Sequence, residues 1–141
     1  MSQNQSVPTE HVRILVVDDS PPWRKWVVSF LSPLQQLQVI GEASDGLEAV
    51  QKAQVLRPDL ILLDIGLPVL NGIEAARRIS QVSHGSKVIF LTMESNSDVA
   101  KVALSNGALA YVLKRDAASE LLPAIEAVLR GERFMSNGLR E

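Results

Sequence analysis

The 141-residue sequence contains no cysteine. It can therefore form neither disulfides nor thiolate metal sites, which agrees with a reducing compartment. Histidine is nearly as scarce: His11 stands before a strand and His84 in a Ser/Gly turn, with no histidine partner at ligand spacing. Both read as surface positions. No apolar stretch reaches the ~18 residues that would suggest a membrane helix, and MSQNQSVPTE has neither the basic start nor the apolar core of a signal peptide. The expectation is a cytoplasmic chain without a membrane partner. A dominant charge is missing too: the formal net charge is −2 and the pI about 5.7, so nothing marks a DNA- or RNA-binding surface. No nucleic acid is expected to bind this chain alone. Internal repeats, low-complexity tracts and signs of a second domain are also absent.

What is present is an ordinary globular composition, 46% hydrophobic and 21% charged, at the length of one domain. Residues 1–10 are polar and read as a mobile N-terminal tail; from Val12 strand and helix signals alternate. Strands are expected near 12–17, 37–41, 60–63, 87–92 and 109–113, with helices between and after them. Short runs rich in Val, Ile and Leu are the signature of strands buried on both faces, and each parallel pair needs a crossover. The fold class is thus α/β, a five-stranded parallel sheet with five helices.

Helix starts carry their own marks. Asp45 and Asn71 are each followed three places later by Glu48 and Glu74, and Ser20 precedes two prolines. Trp23, Val27, Phe30 and Leu31 then form a core stripe on the first helix. Pro123 interrupts the last helix, which requires either a late start capped by Ser119 or a bend. Gly131 ends that helix, leaving 132–141 as a polar tail with one apolar pair, Phe134 and Met135.

The apolar runs end in chemistry. The first closes on Asp18 and Asp19, the third on Asp64, the fourth on Thr92 and the fifth on Lys114. Ligands of open α/β sheets bind outside the carboxyl ends of the strands, so these groups converge on one crevice. Clustered carboxylates either raise a pKa or recruit a cation. An all-oxygen site favours magnesium, with Asp19 as direct ligand and Asp18 direct or through water. A carboxylate can attack phosphorus, and phosphoryl transfer needs mainly positioning and charge neutralisation, which Lys114 supplies. Singly, each residue has a plainer explanation: helix caps for the acids, a solvated strand end for the lysine.

In order and on successive strands, Asp18–Asp19, Asp64, Thr92 and Lys114 resemble the receiver domain of two-component response regulators over residues 11–131. The resemblance implies a flavodoxin-like doubly wound sheet of order 2-1-3-4-5. It implies that Asp64 is the phosphoacceptor, served by a histidine kinase or phosphotransfer protein, and that the Gly66 backbone carbonyl joins the magnesium ligands. Thr92 would donate its hydroxyl to the phosphoryl group, Tyr111 would turn inward in response, and Pro68 and Gly72 would shape the loop and helix start. The outcome would be switched partner binding or a phosphorylation-dependent homodimer; self-phosphorylation and autodephosphorylation serve signalling and do not make an enzyme. Two residues depart from the usual pattern: Met93, which would narrow access to Asp64, and Arg115, which would alter the turn after the lysine. GEASDGLEAV and AVLRGERFMS resemble receivers that precede a LuxR-type helix-turn-helix domain, so 132–141 reads as a tail or the start of a linker to an output domain that controls transcription.

Rival readings each lack a part. A haloacid-dehalogenase-like phosphatase needs a second acid two residues after its nucleophile, where Gly66 stands. A flavin carrier needs a Ser/Thr/Gly-rich phosphate loop, whereas DDSPPWRKW is acidic and aromatic. A stand-alone receiver adaptor remains compatible with the same residues.

Overall fold

A computed structural model describes residues 11–139; the expected N-terminal tail, 1–10, lies outside them. The elements are β1 (Val12–Val17), α1 (Pro21–Leu31), β2 (Leu37–Ala43), α2 (Gly46–Leu56), β3 (Leu60–Leu63), α3 (Gly72–Val82), β4 (Lys87–Thr92), α4 (Ser97–Ser105), β5 (Ala110–Leu113), α5 (Ala117–Leu129) and β6 (Phe134–Met135). All strand pairs are parallel, in the order β2-β1-β3-β4-β5-β6.

The expected order is present, but the sheet has six strands rather than five. The addition comes from the apolar pair of the C-terminal segment. Phe134 packs against the core beside α5, while its N–H donates to the Leu109 carbonyl at 3.2 Å and the Ser136 N–H to that of Tyr111 at 2.9 Å. These bonds occupy the edge of β5, whose carbonyls would otherwise need water.

Alternation along the strands sends side chains into two layers. Leu15, Val17, Ile61, Leu63, Phe90 and Leu113 meet α2, α3 and α4. Ile14, Val16, Leu62, Leu91 and Val112 meet α1 and α5 on the other face. Within α1, Val27 and Leu31 are buried as expected, whereas Trp23 and Phe30 are half-buried.

The cap signals translate into bonds: Asp45 accepts the Glu48 N–H at 2.7 Å and Asn71 that of Glu74 at 3.0 Å. The return half of the box differs, since Glu48 reaches back to Ser44 and Glu74 pairs with Arg77 and Arg78. Around Pro123 the late start at Ser119 is not what the structure shows. Helix α5 starts before Ser119, at Ala117 after a 3-10 turn over Lys114–Asp116, and runs through the proline. Pro123 is exposed, so water can serve the Ser119 carbonyl that lacks its helical donor.

Candidate functional site

The strand ends bring Asp18, Asp19, Asp64, Thr92 and Lys114 to one crevice. Asp18 follows the last residue of β1 and its N–H donates to the Ala43 carbonyl of β2. Helix α1 starts immediately afterwards: the Ser20 N–H donates to Asp18 Oδ1 at 2.9 Å, and Ser20 Oγ accepts the Trp23 N–H at 3.4 Å. Asp64, one residue beyond β3, is anchored through its N–H to the Val17 carbonyl. The following loop has no room for a side chain at its helix end. A Cβ on Gly72 would lie 1.9 Å from the Asp64 carbonyl oxygen. Between them, Leu70 donates its N–H to the Pro68 carbonyl at 2.7 Å, around Val69 at φ 68°. Pro68 thus supplies the carbonyl of this turn, and Gly72 stands where the loop meets α3.

Lys114 lies between the two buried acids. Its Nζ is 2.8 Å from Asp18 Oδ2 and 3.0 Å from Asp64 Oδ2, and all three side chains are nearly withdrawn from solvent. Burial opposes the ammonium, but the hydrogen bonds and charges of Asp18 and Asp64 outweigh it and hold the lysine pKa above its ordinary value. Burial raises the Asp18 carboxyl, against the opposing pull of Lys114 and the Ser20 N–H. Asp19 is exposed and contributes the third carboxylate; oxygens of Asp18, Asp19 and Asp64 lie within 4.8 Å of one another. Three converging oxygens of this kind suit a hard cation such as magnesium. The Gly66 N–H points to Asp64 Oδ1 at 3.4 Å, and nothing crowds this exposed glycine.

Asp64 opens onto a cleft of about 550 Å³ lined also by Ile65, Gly66, Thr92, Met93, Glu94 and Ser95. Met93 is 77% exposed, so it borders the cleft without filling it. Thr92 is buried, and its Oγ1 accepts the Glu94 N–H at 3.3 Å. Tyr111 is fully buried and donates its hydroxyl to the Glu94 carbonyl at 2.8 Å. Its side chain already points inward in this conformation, and burial raises its pKa. Arg115 donates to the Gly138 carbonyl at 2.9 Å. Lys114 thus begins the 3-10 turn while Arg115 fastens the C-terminal segment.

Three participants are not legible as site residues in the sequence. Glu94 acts through its backbone, which leaves no residue-type signal. Trp23 reads as core, yet its ring lies 5.0 Å from Lys114 Nζ. Ser136 accepts the Leu113 N–H at 2.8 Å and donates to the Glu120 carboxylate. Only the N-cap spacing from Ser20 to Trp23 could have drawn attention to the second of them.

A doubly wound parallel sheet carrying a lysine-bridged pair of strand-end aspartates beside a strand-end threonine defines an aspartate-centred receiver of the response-regulator class. The chain belongs to the response regulator receiver domain family, whose model matches residues 14–126. It is 39% identical over 121 residues to the transcriptional regulatory protein LiaR of Bacillus subtilis, covering 86% of this chain and 57% of that protein. It is 33% identical over 130 residues to the nitrate/nitrite response regulator NarL of Escherichia coli, covering 92% of this chain and 60% of NarL. Among solved structures, a LuxR-family two-component response regulator from Aurantimonas superposes with a TM-score of 0.86 at 36% identity, over 91% of each chain. The chain spans about three fifths of the length of LiaR and of NarL. Among the described residues no helix is long and apolar enough to cross a membrane.

Proposed function

We propose that this chain is the phosphoacceptor part of a two-component phosphorelay, taking a phosphoryl group onto Asp64 from a histidine kinase or phosphotransfer protein. The observation that carries this reading is the shared ammonium: Lys114 Nζ bridges Asp18 and Asp64 at 2.8 and 3.0 Å while Asp64 faces an open cleft. An Asp64 oxygen attacks phosphorus of a phosphorylated imidazole. The new P–O bond forms as the P–N bond breaks, and the imidazole leaves with the electron pair. Lys114 gives up one carboxylate oxygen to meet the incoming phosphoryl oxygens, a displacement its flexible stem permits. Asp18, Asp19 and Asp64, with the Gly66 carbonyl, would hold magnesium, which neutralises phosphoryl charge when bound. Thr92 donates its hydroxyl to the same group.

Phosphorylation then changes partner binding or dimerisation, acting in the cytoplasm on transcription through an output domain joined after residues 132–141. Similarity to LiaR and NarL, named as transcriptional and nitrate/nitrite response regulators, supports this assignment. The haloacid-dehalogenase alternative is disfavoured because Gly66 offers no general acid beside Asp64.

The test is intact-mass measurement after incubation with acetyl phosphate and magnesium. Wild type should gain one phosphoryl group, and Asp64→Asn none while remaining folded, because an amide of equal size does not attack phosphorus. Full labelling of Asp64→Asn would refute the assignment.

A further inference from the structure

The half-buried indole of Trp23 has more to do than cover core. Its ring lies 5.0 Å from the Lys114 ammonium, and a cation so placed over an aromatic face is attracted by the ring's quadrupole. Lysine has three N–H donors; Asp18 and Asp64 take two of them, and the indole is the third neighbour. The ring is also indexed to the site. Asp18 accepts the Ser20 N–H, Ser20 caps α1 by accepting the Trp23 N–H, Trp23 faces Lys114, and Lys114 returns to Asp18. Trp26 meets Trp23 edge-on, with centroids 5.6 Å apart, and Trp26 stacks on Phe30 at 4.9 Å. The indole therefore has both a cation and a second aromatic ring against it although it is partly exposed.

We infer that Trp23 is a positioning residue for Lys114, holding the ammonium beside the Asp64 carboxylate while its oxygen partners exchange during phosphoryl transfer. A ring attracts the cation without competing for a hydrogen-bond direction, so its hold persists when a carboxylate oxygen is replaced by a phosphoryl oxygen. A ring also stands where water would otherwise solvate the third N–H. This role rests on Asp64 being the phosphoacceptor.

The test compares Trp23→Phe, which keeps an aromatic face, with Trp23→Leu, which keeps apolar packing and loses the quadrupole. Two readouts are taken on folded protein: the NMR shift of the Lys114 ε-methylene, and the labelling rate of Asp64 by acetyl phosphate with saturating magnesium. Wild type should show a ring-current upfield shift that Trp23→Leu abolishes and Trp23→Phe largely retains. Labelling should slow about two- to thirtyfold in Trp23→Leu, the range of a cation–π contact between exposed and desolvated settings, and stay near wild type in Trp23→Phe. In a Lys114→Ala background the Trp23→Leu effect should vanish, which a purely packing role would not produce. Equal labelling rates for wild type and Trp23→Leu, or an undiminished Trp23→Leu effect without Lys114, would overturn the inference. An unlabelled wild type would instead refute the phosphoacceptor reading, and the absence of a shifted ε-methylene would refute the contact alone.

Discussion

The Ser136 hydroxyl accepts the Leu113 N–H at 2.8 Å, one residue before Lys114. The C-terminal segment is thereby tied to the strand end that delivers the site's only buried cation among the described residues. Ser136 is itself buried, and its hydroxyl proton goes to Glu120 on α5. One side chain thus joins β5, α5 and the segment after β6.

Ser136→Ala should cost about 1–3 kcal/mol of unfolding free energy, because it strands a buried backbone donor instead of removing both partners. Urea unfolding at neutral pH checks this. A variant as stable as wild type would mean that water replaces the hydroxyl.

Much of this architecture is legible from residue order, and the reasons are local. Each of the strands β1, β3, β4 and β5 is a short apolar run stopped by a polar residue that the sheet then needs at its carboxyl end. Asp45 and Asn71 announce their helices because capping depends on neighbours three residues away. The C-terminal strand β6 is different: it is two residues long, and its existence depends on the exposed edge of β5 and a place for Phe134. Contacts between Trp23 and Lys114, or between Tyr111 and the Glu94 carbonyl, join residues far apart in the chain. No spacing rule encodes them. Gly72 lies between these cases: a glycine at a helix start suggests a turn, but only the fold reveals that the Asp64 carbonyl fills the space of its missing Cβ.

Alkaline pH should weaken the fold through two groups. Burial raises Tyr111 above its ordinary value of 10.0. The Asp18 and Asp64 partners raise Lys114 above 10.5, against burial. In both cases the unfolded chain loses its proton first, so stability is fully present below the ordinary value and falls as pH rises toward the folded one. Unfolding free energy should therefore decline above about pH 10. Tyr111→Phe should show a shallower decline, though from a lower plateau, since it forfeits the bond to Glu94. Parallel pH profiles for the two proteins would exclude the tyrosine contribution.

Val69 occupies the left-handed region at φ 68° with its side chain 76% exposed. A β-branched residue is poorly suited to that conformation, which costs on the order of 1–3 kcal/mol for a residue other than glycine. Val69→Asn should then raise unfolding free energy by about 1 kcal/mol, since asparagine tolerates positive φ and no buried contact is lost. Thermal or urea unfolding would register the gain. A loss of stability would show that the valine side chain makes a contact worth more than its strain.

On the proposed function, the switch should begin at Thr92 rather than as a general movement of the last strands. Phosphorylation shifts an equilibrium only through contacts that differ between two states, and Thr92 has such a contact ready. Its Oγ1 accepts the Glu94 N–H at 3.3 Å, while the carbonyl of the same Glu94 accepts the Tyr111 hydroxyl at 2.8 Å. If Thr92 turns to a phosphoryl oxygen on Asp64, the Glu94 peptide loses a restraint on one side, and Tyr111 feels the change on the other. Tyr111 is already buried, so the expected response is a shift of the loop that enters α4 rather than a large excursion of the ring. Thr92→Ala should still accept phosphate at Asp64, because the attacking carboxylate and Lys114 are untouched. Its NMR shift changes across α4, β5 and α5 on adding beryllofluoride should be much smaller than those of wild type, and any phosphorylation-driven dimer should weaken in step. Identical shift changes in the two proteins would show that the signal leaves the site by a route other than the Glu94 peptide.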